Sequence, residues 1–137
     1  MTGKHVYRAV VLDVVDGDTV HLAVRLRRSR AANGDLGFHV YDEDGWLTVH
    51  ESFRLEGCDA AEKRTALGRR AIARVVELLP AGSLVTVASK RPKIGQERYG
   101  RWLATITTAA GVELPAELIV EGLAAPWDGR GSKPVQS

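Results

Sequence analysis

One cysteine, Cys58, is all the chain of 137 residues holds, which excludes an internal disulfide and any multi-cysteine metal site. No apolar run approaches the roughly 18 residues that a membrane-crossing helix needs, so no membrane role is expected. The first residues, Met1 to Tyr7, carry no charged, apolar and small-residue signal of the kind that directs export, and the expected location is the cytoplasm. Repeats and low-complexity blocks are also missing. The four histidines, His5, His21, His39 and His50, show no metal-ligand spacing and read as strand or surface residues.

Net charge is small, at +2, but it is unevenly spread. Between Glu62 and Arg101 ten basic residues face three acidic ones, while the rest of the chain carries nine basic and fourteen acidic residues. Such a concentration suits a polyanion-binding surface, and equally a solvated helix face followed by a basic loop. With 45% apolar and 26% charged residues, the composition is that of an ordinary globular domain.

The apolar pattern predicts the elements. Residues 6 to 15 are rich in valine and run into the turn Asp16-Gly17. Val20, Leu22, Val24 and Leu26 then alternate with His21, Ala23, Arg25 and Arg27, the period of a half-buried strand, so the two segments read as a hairpin. A polar stretch at 28–47, with turn signals at Asn33-Gly34 and Asp42-Glu43-Asp44-Gly45, reads as an extra hairpin arm. A third strand is expected from about Leu47 to Glu56. The main helix begins at Glu62 or Ala66 and ends at Leu79, with Leu67, Ala71, Val75, Leu78 and Leu79 as its apolar stripe. Strands near 84–89 and 102–108 bracket the basic loop Lys90 to Arg98. A short second helix starts near Pro115 and ends at Gly122. This order suits a mainly β, α+β domain spanning residues 1–127, such as a five-stranded OB-type barrel with one main and one short helix, though periodicity alone does not separate that from other α+β folds. Residues 128–137, with Gly129, Gly131 and Pro134, read as a flexible tail.

Four local groups are candidates for chemistry, and each has a plain structural reading. Asp16-Gly17-Asp18-Thr19 is a tight turn or part of a site. Asp59 and Glu62 form a capping box for the helix or supply oxygen ligands and a base. Arg54 sits on the wet face of a strand or faces a phosphate. Tyr99-Gly100-Arg101 starts a strand or contacts a nucleotide. Taken together, carboxylates, a third carboxylate to activate water and paired guanidinium groups are what phosphodiester hydrolysis requires. Cys58 reads as a small buried residue, and Trp46, Trp102 and Trp127 as core or rim, Trp127 least surely so.

Three stretches, Val15 to Val20, Phe53 to Glu62 and Arg98 to Ala104, resemble the three signature blocks of the staphylococcal nuclease family, in that family's order and with the helix between the second and third. Gly122-Leu123-Ala124 resembles its segment after the second helix, so the likeness covers residues 6 to 126. The resemblance implies an OB barrel and calcium-dependent hydrolysis of DNA, with RNA as a further substrate and magnesium as an alternative ion. It implies metal ligation by the Asp18 and Asp59 carboxylates and the Ala60 carbonyl, with Asp16 supporting them. Glu62 is then the base, and Arg54 and Arg101 grip the scissile phosphate. Tyr99 and Arg98 contact the nucleotide, and Lys90, Arg91 and Lys93 add phosphate contacts. Where the family has proline before the glutamate, Ala61 stands here, and the loop after Glu62 is short. The expected state is a monomer, with 28–47 as a candidate dimer arm. The rival reading is a catalytically silent OB module that binds single-stranded nucleic acid or a protein.

Overall fold

Valine-rich sequence makes two long strands, β1 (His5–Asp16) and β2 (Thr19–Arg28), in the computed structural model, which describes residues 5–28, 41–90 and 102–127. They pair antiparallel around the Gly17-Asp18 turn, from Asp16 opposite Thr19 to Ala9 opposite Val24. Register shifts near Val11–Asp13 and Val14–Asp16 mark bulges, which raise the local twist and help a short sheet curl. β2 also pairs along its other edge with β4 (Trp46–Leu55), Thr19 facing Arg54. β4 continues into a parallel pairing with β7 (Trp102–Thr108), β7 pairs antiparallel with β6 (Leu84–Lys90), and β6 returns to β1. Among the described residues these five strands therefore close into a barrel of the OB type.

A short strand, β3 (Tyr41–Glu43), extends the sheet beside the start of β4. The two are joined by Asp44-Gly45, both at positive φ (53° and 80°), the conformation that a two-residue hairpin turn demands. Glu43 accepts a hydrogen bond from the Thr48 hydroxyl and lies 3.1 Å from His50 Nε2, which ties this end of the arm to the barrel. Residues 29–40 of the arm, most of the basic loop (91–101) and the tail 128–137 lie outside the described residues.

Barrel and helices share one aliphatic core. Val20 and Leu22 from β2, Leu55 from β4, Val87 from β6 and Ile106 from β7 meet Val75, Leu79, Leu114 and Leu118 from the helices. The inward face predicted for β2 is buried at Val20, Leu22 and Val24, although Ala23 on the other face is buried too, and the pattern then fails. Leu26 falls in the register shift between Arg25 and Arg27 and is 40% exposed, because an extra residue there turns its side chain out of the barrel.

Helix α1 (Ala66–Leu78) buries Gly68, Ala71 and Val75, with Leu67 and Leu78 only half-buried. Its cap corrects the capping-box reading of Asp59 and Glu62. The helix begins at Ala66, the later of the two expected starts, and Thr65, six residues after Asp59, is the N-cap, its hydroxyl accepting from the Gly68 amide at 2.9 Å. Helix α2 (Leu114–Val120) starts with Pro115 in its first turn and ends in a Schellman motif. There the Leu123 amide donates to the Leu118 carbonyl and the Gly122 amide to the Ile119 carbonyl. Gly122 takes φ +75°. This reversal delivers β8 (Ala124–Pro126) onto β5 (Cys58–Ala60), a two-stranded ribbon that the hydrophobic pattern does not announce, since each strand has three residues.

An added methyl at Gly122 would meet no atom within 4 Å, so its cost is that of the left-handed backbone alone. Gly122→Ala should lower stability by about 1 kcal/mol. Denaturant unfolding should show a lower midpoint with an unchanged slope.

Candidate functional site

The site is assembled where the β1–β2 turn, the end of β4 and the β5–β8 ribbon meet. Gly17 makes the approach feasible. A Cβ there would lie 2.8 Å from Ala60 Cβ and 2.9 Å from Ala71 Cβ, so only glycine lets the turn press against both β5 and α1. Asp18 is pinned by its backbone, its amide donating to Asp16 Oδ1 at 3.1 Å and its carbonyl accepting from the Leu55 amide at 2.8 Å. Its carboxylate is buried at 8% exposure. Oδ1 accepts from the Thr19 hydroxyl at 3.2 Å, and Oδ2 accepts from the Ala60 amide at 3.0 Å, across 42 residues of sequence.

Arg54 stands opposite Thr19 on one side and Leu103 on the other, and is also 8% exposed. Its Nη2 donates to Asp59 Oδ1 at 3.2 Å, a pairing between two buried side chains. The guanidinium carbon lies 4.8 Å from the centre of the Trp127 ring. Trp127 is held in turn by its amide, which donates to the Gly57 carbonyl just after β8. Asp18, Arg54, Asp59 and Ala60 are thus brought together, as three of the four sequence groups required.

Burial shapes the acidity of this cluster. Desolvation, then the hydrogen bond and charge of Asp16, push the Asp18 carboxyl from 3.8 up to about 6, against the opposing pull of the Ala60 amide and Arg54. Burial also pushes the Cys58 thiol up to about 12, with Asp18 adding to the shift and Arg54 opposing it. Cys58 therefore stays a protonated, buried thiol with no nucleophilic role.

Glu62 stands apart from that cluster. It is exposed, and Arg64 Nε donates to its carboxylate at 3.0 Å. Asp16, Glu62, Lys63 and Arg64 line a depression of about 440 Å³ beside the buried group. The loop is anchored through the Glu62 carbonyl, which accepts from both the amide (2.9 Å) and hydroxyl (2.8 Å) of Thr65. A Cβ on Gly68 would sit 1.9 Å from that carbonyl oxygen, so the helix needs glycine where the loop crosses it. Gly68 is a contributor that sequence reading missed, and Trp127, the tryptophan it read as least surely structural, was given no role in the site. Gly68 looks like an unremarkable helix residue, and Trp127 precedes a Gly-rich segment.

The remaining candidates are placed less fully. Arg91, Lys93, Arg98, Tyr99 and Arg101 lie outside the described residues, and Lys90 ends β6. Among the described residues no group of three or more His, Cys, Asp and Glu side chains is close enough to hold a metal ion. No helix among them is long and apolar enough to cross a membrane.

The chain is similar to "Endonuclease YhcR" of Bacillus subtilis (strain 168), with 29% identity over 124 residues. The match covers 88% of this chain but only 9% of that relative's length. No protein-family model matches the chain.

The Asp18 carboxyl generates a pH signature. Between its unfolded value of 3.8 and about 6, the native state holds more protons than the unfolded chain, so stability falls as pH rises through that window. The loss amounts to at most roughly 3 kcal/mol. Asp18→Asn should therefore be more stable than the parent at neutral pH in EDTA, with the advantage fading toward about pH 4. Denaturant unfolding across that range is the measurement.

Proposed function

We propose that this chain is a nuclease domain of the staphylococcal nuclease type, hydrolysing phosphodiester bonds of DNA, and of RNA, with low sequence specificity. The carrying observation is the buried group of Asp18, Arg54 and Asp59, two carboxylates and a guanidinium kept out of water at the mouth of a barrel. Burying charges costs free energy, and replacing such a group with apolar residues is often neutral or stabilising. Its presence beside an open depression fits a working site better than a structural one.

The described residues bring no three acidic side chains together, but the donor types present, two carboxylates and a backbone carbonyl, suit a hard divalent cation. Asp18 keeps a desolvated carboxylate whose acidity is suppressed by burial and by Asp16, which is the charge imbalance that a cation relieves. The Asp18 and Asp59 carboxylates and the Ala60 carbonyl, all oxygen donors, would hold calcium, or magnesium, in preference to zinc or copper. Such an ion, when bound, polarises a phosphoryl oxygen and stabilises charge on it. Asp18, Asp59 and the Ala60 carbonyl would be the protein's contribution to holding such an ion, a small set of hard oxygen donors.

The side chains divide the remaining work. Arg54 is a permanent cation in a dry setting, where its attraction to a phosphate gaining negative charge is far stronger than in water. Arg101 supplies the second guanidinium in this reading. Glu62 is solvent-facing and ionisable, able to take a proton from an attacking water once its carboxylate leaves Arg64. Lys90, Arg91, Lys93, Arg98 and Tyr99 hold the nucleic acid by phosphate and nucleotide contacts.

Cleavage assays test this directly. Single-stranded DNA, duplex DNA and RNA should be cut with calcium or magnesium and spared in EDTA. Glu62→Gln should lower kcat by ~10²–10⁴-fold, the usual contribution of a general base. Its stability should change by less than about 1 kcal/mol, because the helix cap rests on Thr65 and on the Glu62 backbone. Undiminished cutting in EDTA would remove the metal from the reading. A folded parent that binds nucleic acid and never cuts it would favour the silent OB module.

The basic loop makes a separate prediction. Neutralising Lys90, Arg91 and Lys93 together should raise KM more than it lowers kcat, since phosphate contacts away from the reacting bond hold substrate and transition state alike. The KM difference should shrink as salt increases. Equal KM values for variant and parent at low salt would return the loop to a solvated surface.

A further inference from the structure

We propose that Trp127 is a positioning residue for Arg54, holding the guanidinium plane in place while leaving its in-plane donors for a phosphate; this rests on the nuclease reading above. The ribbon register provides the first argument. Asp59 pairs with Ala125 in the ribbon, and Trp127, the residue after β8, continues the ladder by donating its amide to the Gly57 carbonyl at 3.1 Å, which brings its ring to the side of the ribbon where Asp59 meets Arg54. Arg54, which comes from the barrel, meets that side: Asp59 at 3.2 Å from Nη2 and the Trp127 ring at 4.8 Å from the guanidinium carbon. One small ribbon therefore holds the arginine by two different forces.

The two forces act in different directions. A guanidinium donates hydrogen bonds only in its plane, through five N–H groups, whereas an aromatic ring attracts it through the face. The carboxylate of Asp59 takes one in-plane donor. The ring takes none, yet it restricts tilt and supplies a low-dielectric wall. This distinction matters because Asp59 is also a proposed cation ligand. When its oxygens are drawn to that duty, the ring still fixes the arginine.

The arrangement is also built in from outside the barrel. Trp127 reaches Arg54 because the Schellman turn at Gly122 reverses the chain into β8, and because its amide closes on the Gly57 carbonyl. The end of the described chain thus completes a site whose charged members lie far earlier in sequence.

The test compares Trp127→Leu and Trp127→Phe, each alone and with Arg54→Met, by kcat and KM on a single-stranded DNA substrate with calcium. Trp127→Leu should lower kcat about tenfold with little change in KM, a loss of about 1.4 kcal/mol that lies between an exposed and a fully desolvated cation–π contact. Trp127→Phe, which keeps an aromatic face, should retain most of the rate. In the Arg54→Met background, Trp127→Leu should cause no further loss. An unchanged kcat in Trp127→Leu overturns the proposal. So does an equal loss in the Arg54→Met background, and so does a rise in KM alone, which would make the ring a substrate platform.

A second measurement keeps the proposal separate from the nuclease reading and from any loss of fold. In the parent protein without substrate or metal, the Arg54 Nε–H resonance should be shifted upfield by the ring current of Trp127, and should move toward ordinary arginine values in Trp127→Leu. An ordinary Arg54 resonance in the parent overturns the positioning role. If the parent cuts no nucleic acid, the nuclease reading fails, and this resonance alone decides whether Trp127 positions Arg54.

Discussion

The hydrogen bond from the Ala60 amide to the Asp18 carboxylate joins the tip of the first hairpin to the segment that leads into the main helix. Everything charged in the candidate site depends on that junction. It places a buried carboxylate beside the Arg54–Asp59 pair, and it forces the hairpin turn so close to β5 and α1 that only glycine fits at position 17. A second close crossing, the Glu62 carbonyl over Gly68, holds the next stretch of loop against the same helix. Two glycines serve as spacers here: neither has its φ in the left-handed region, and both are required because backbone comes within reach of another chain segment. The segment from Asp59 to Thr65 is thereby fastened at both ends, leaving the Glu62 side chain free to face solvent.

Charge is distributed by depth. Asp18, Arg54 and Asp59 are desolvated and interlocked, and the acidity of Asp18 is suppressed as a result. Asp16 is half-buried, and Glu62, Lys63 and Arg64 lie at the exposed rim. A buried cation and carboxylates exert strong fields on anything that enters, while rim groups retain hydration and can exchange partners. Under the proposed function, that gradient would meet a phosphodiester approaching from solvent. It also explains why Cys58, within the same fields, stays inert: burial and the neighbouring carboxylate hold its proton.

The basic segment divides in the same way. Arg74 is not available to a polyanion, because its guanidinium donates to both oxygens of Glu121 and lies 3.7 Å from Glu77, clipping α1 to α2. Arg69 donates to the Arg64 carbonyl and so belongs to the helix start. Arg64 is engaged with Glu62 in its turn. The raw count of positive charge therefore overstates what this segment can offer an anion, since ion pairs and helix contacts draw on the same residues.

Much of the barrel was legible in the sequence because long strands and an amphipathic helix repeat a pattern often enough to be read. β1, β2, β4 and α1 fall within a few residues of expectation, and the order of elements led to the OB-type barrel. Where the chain departs from pattern, local sequence carried no signal. Leu26 alternates correctly on paper and turns outward at a bulge, and Asp59-x-x-Glu62 has the form of a capping box while the cap is Thr65. The candidate residues Asp16, Asp18, Arg54, Asp59 and Glu62 were readable as residue types in recognisable blocks. Their convergence was implied only by the family resemblance and by no local pattern, because it rests on contacts across 42 residues and on ribbon strands of three residues, too short to show a period. Sequence alone determined which charges the chain carries and which segments bury their apolar faces. Only tertiary structure decided that two glycines would let those segments touch, and that Trp127 would come back to lie against Arg54, because close approach depends on the space between distant elements and no local pattern records it.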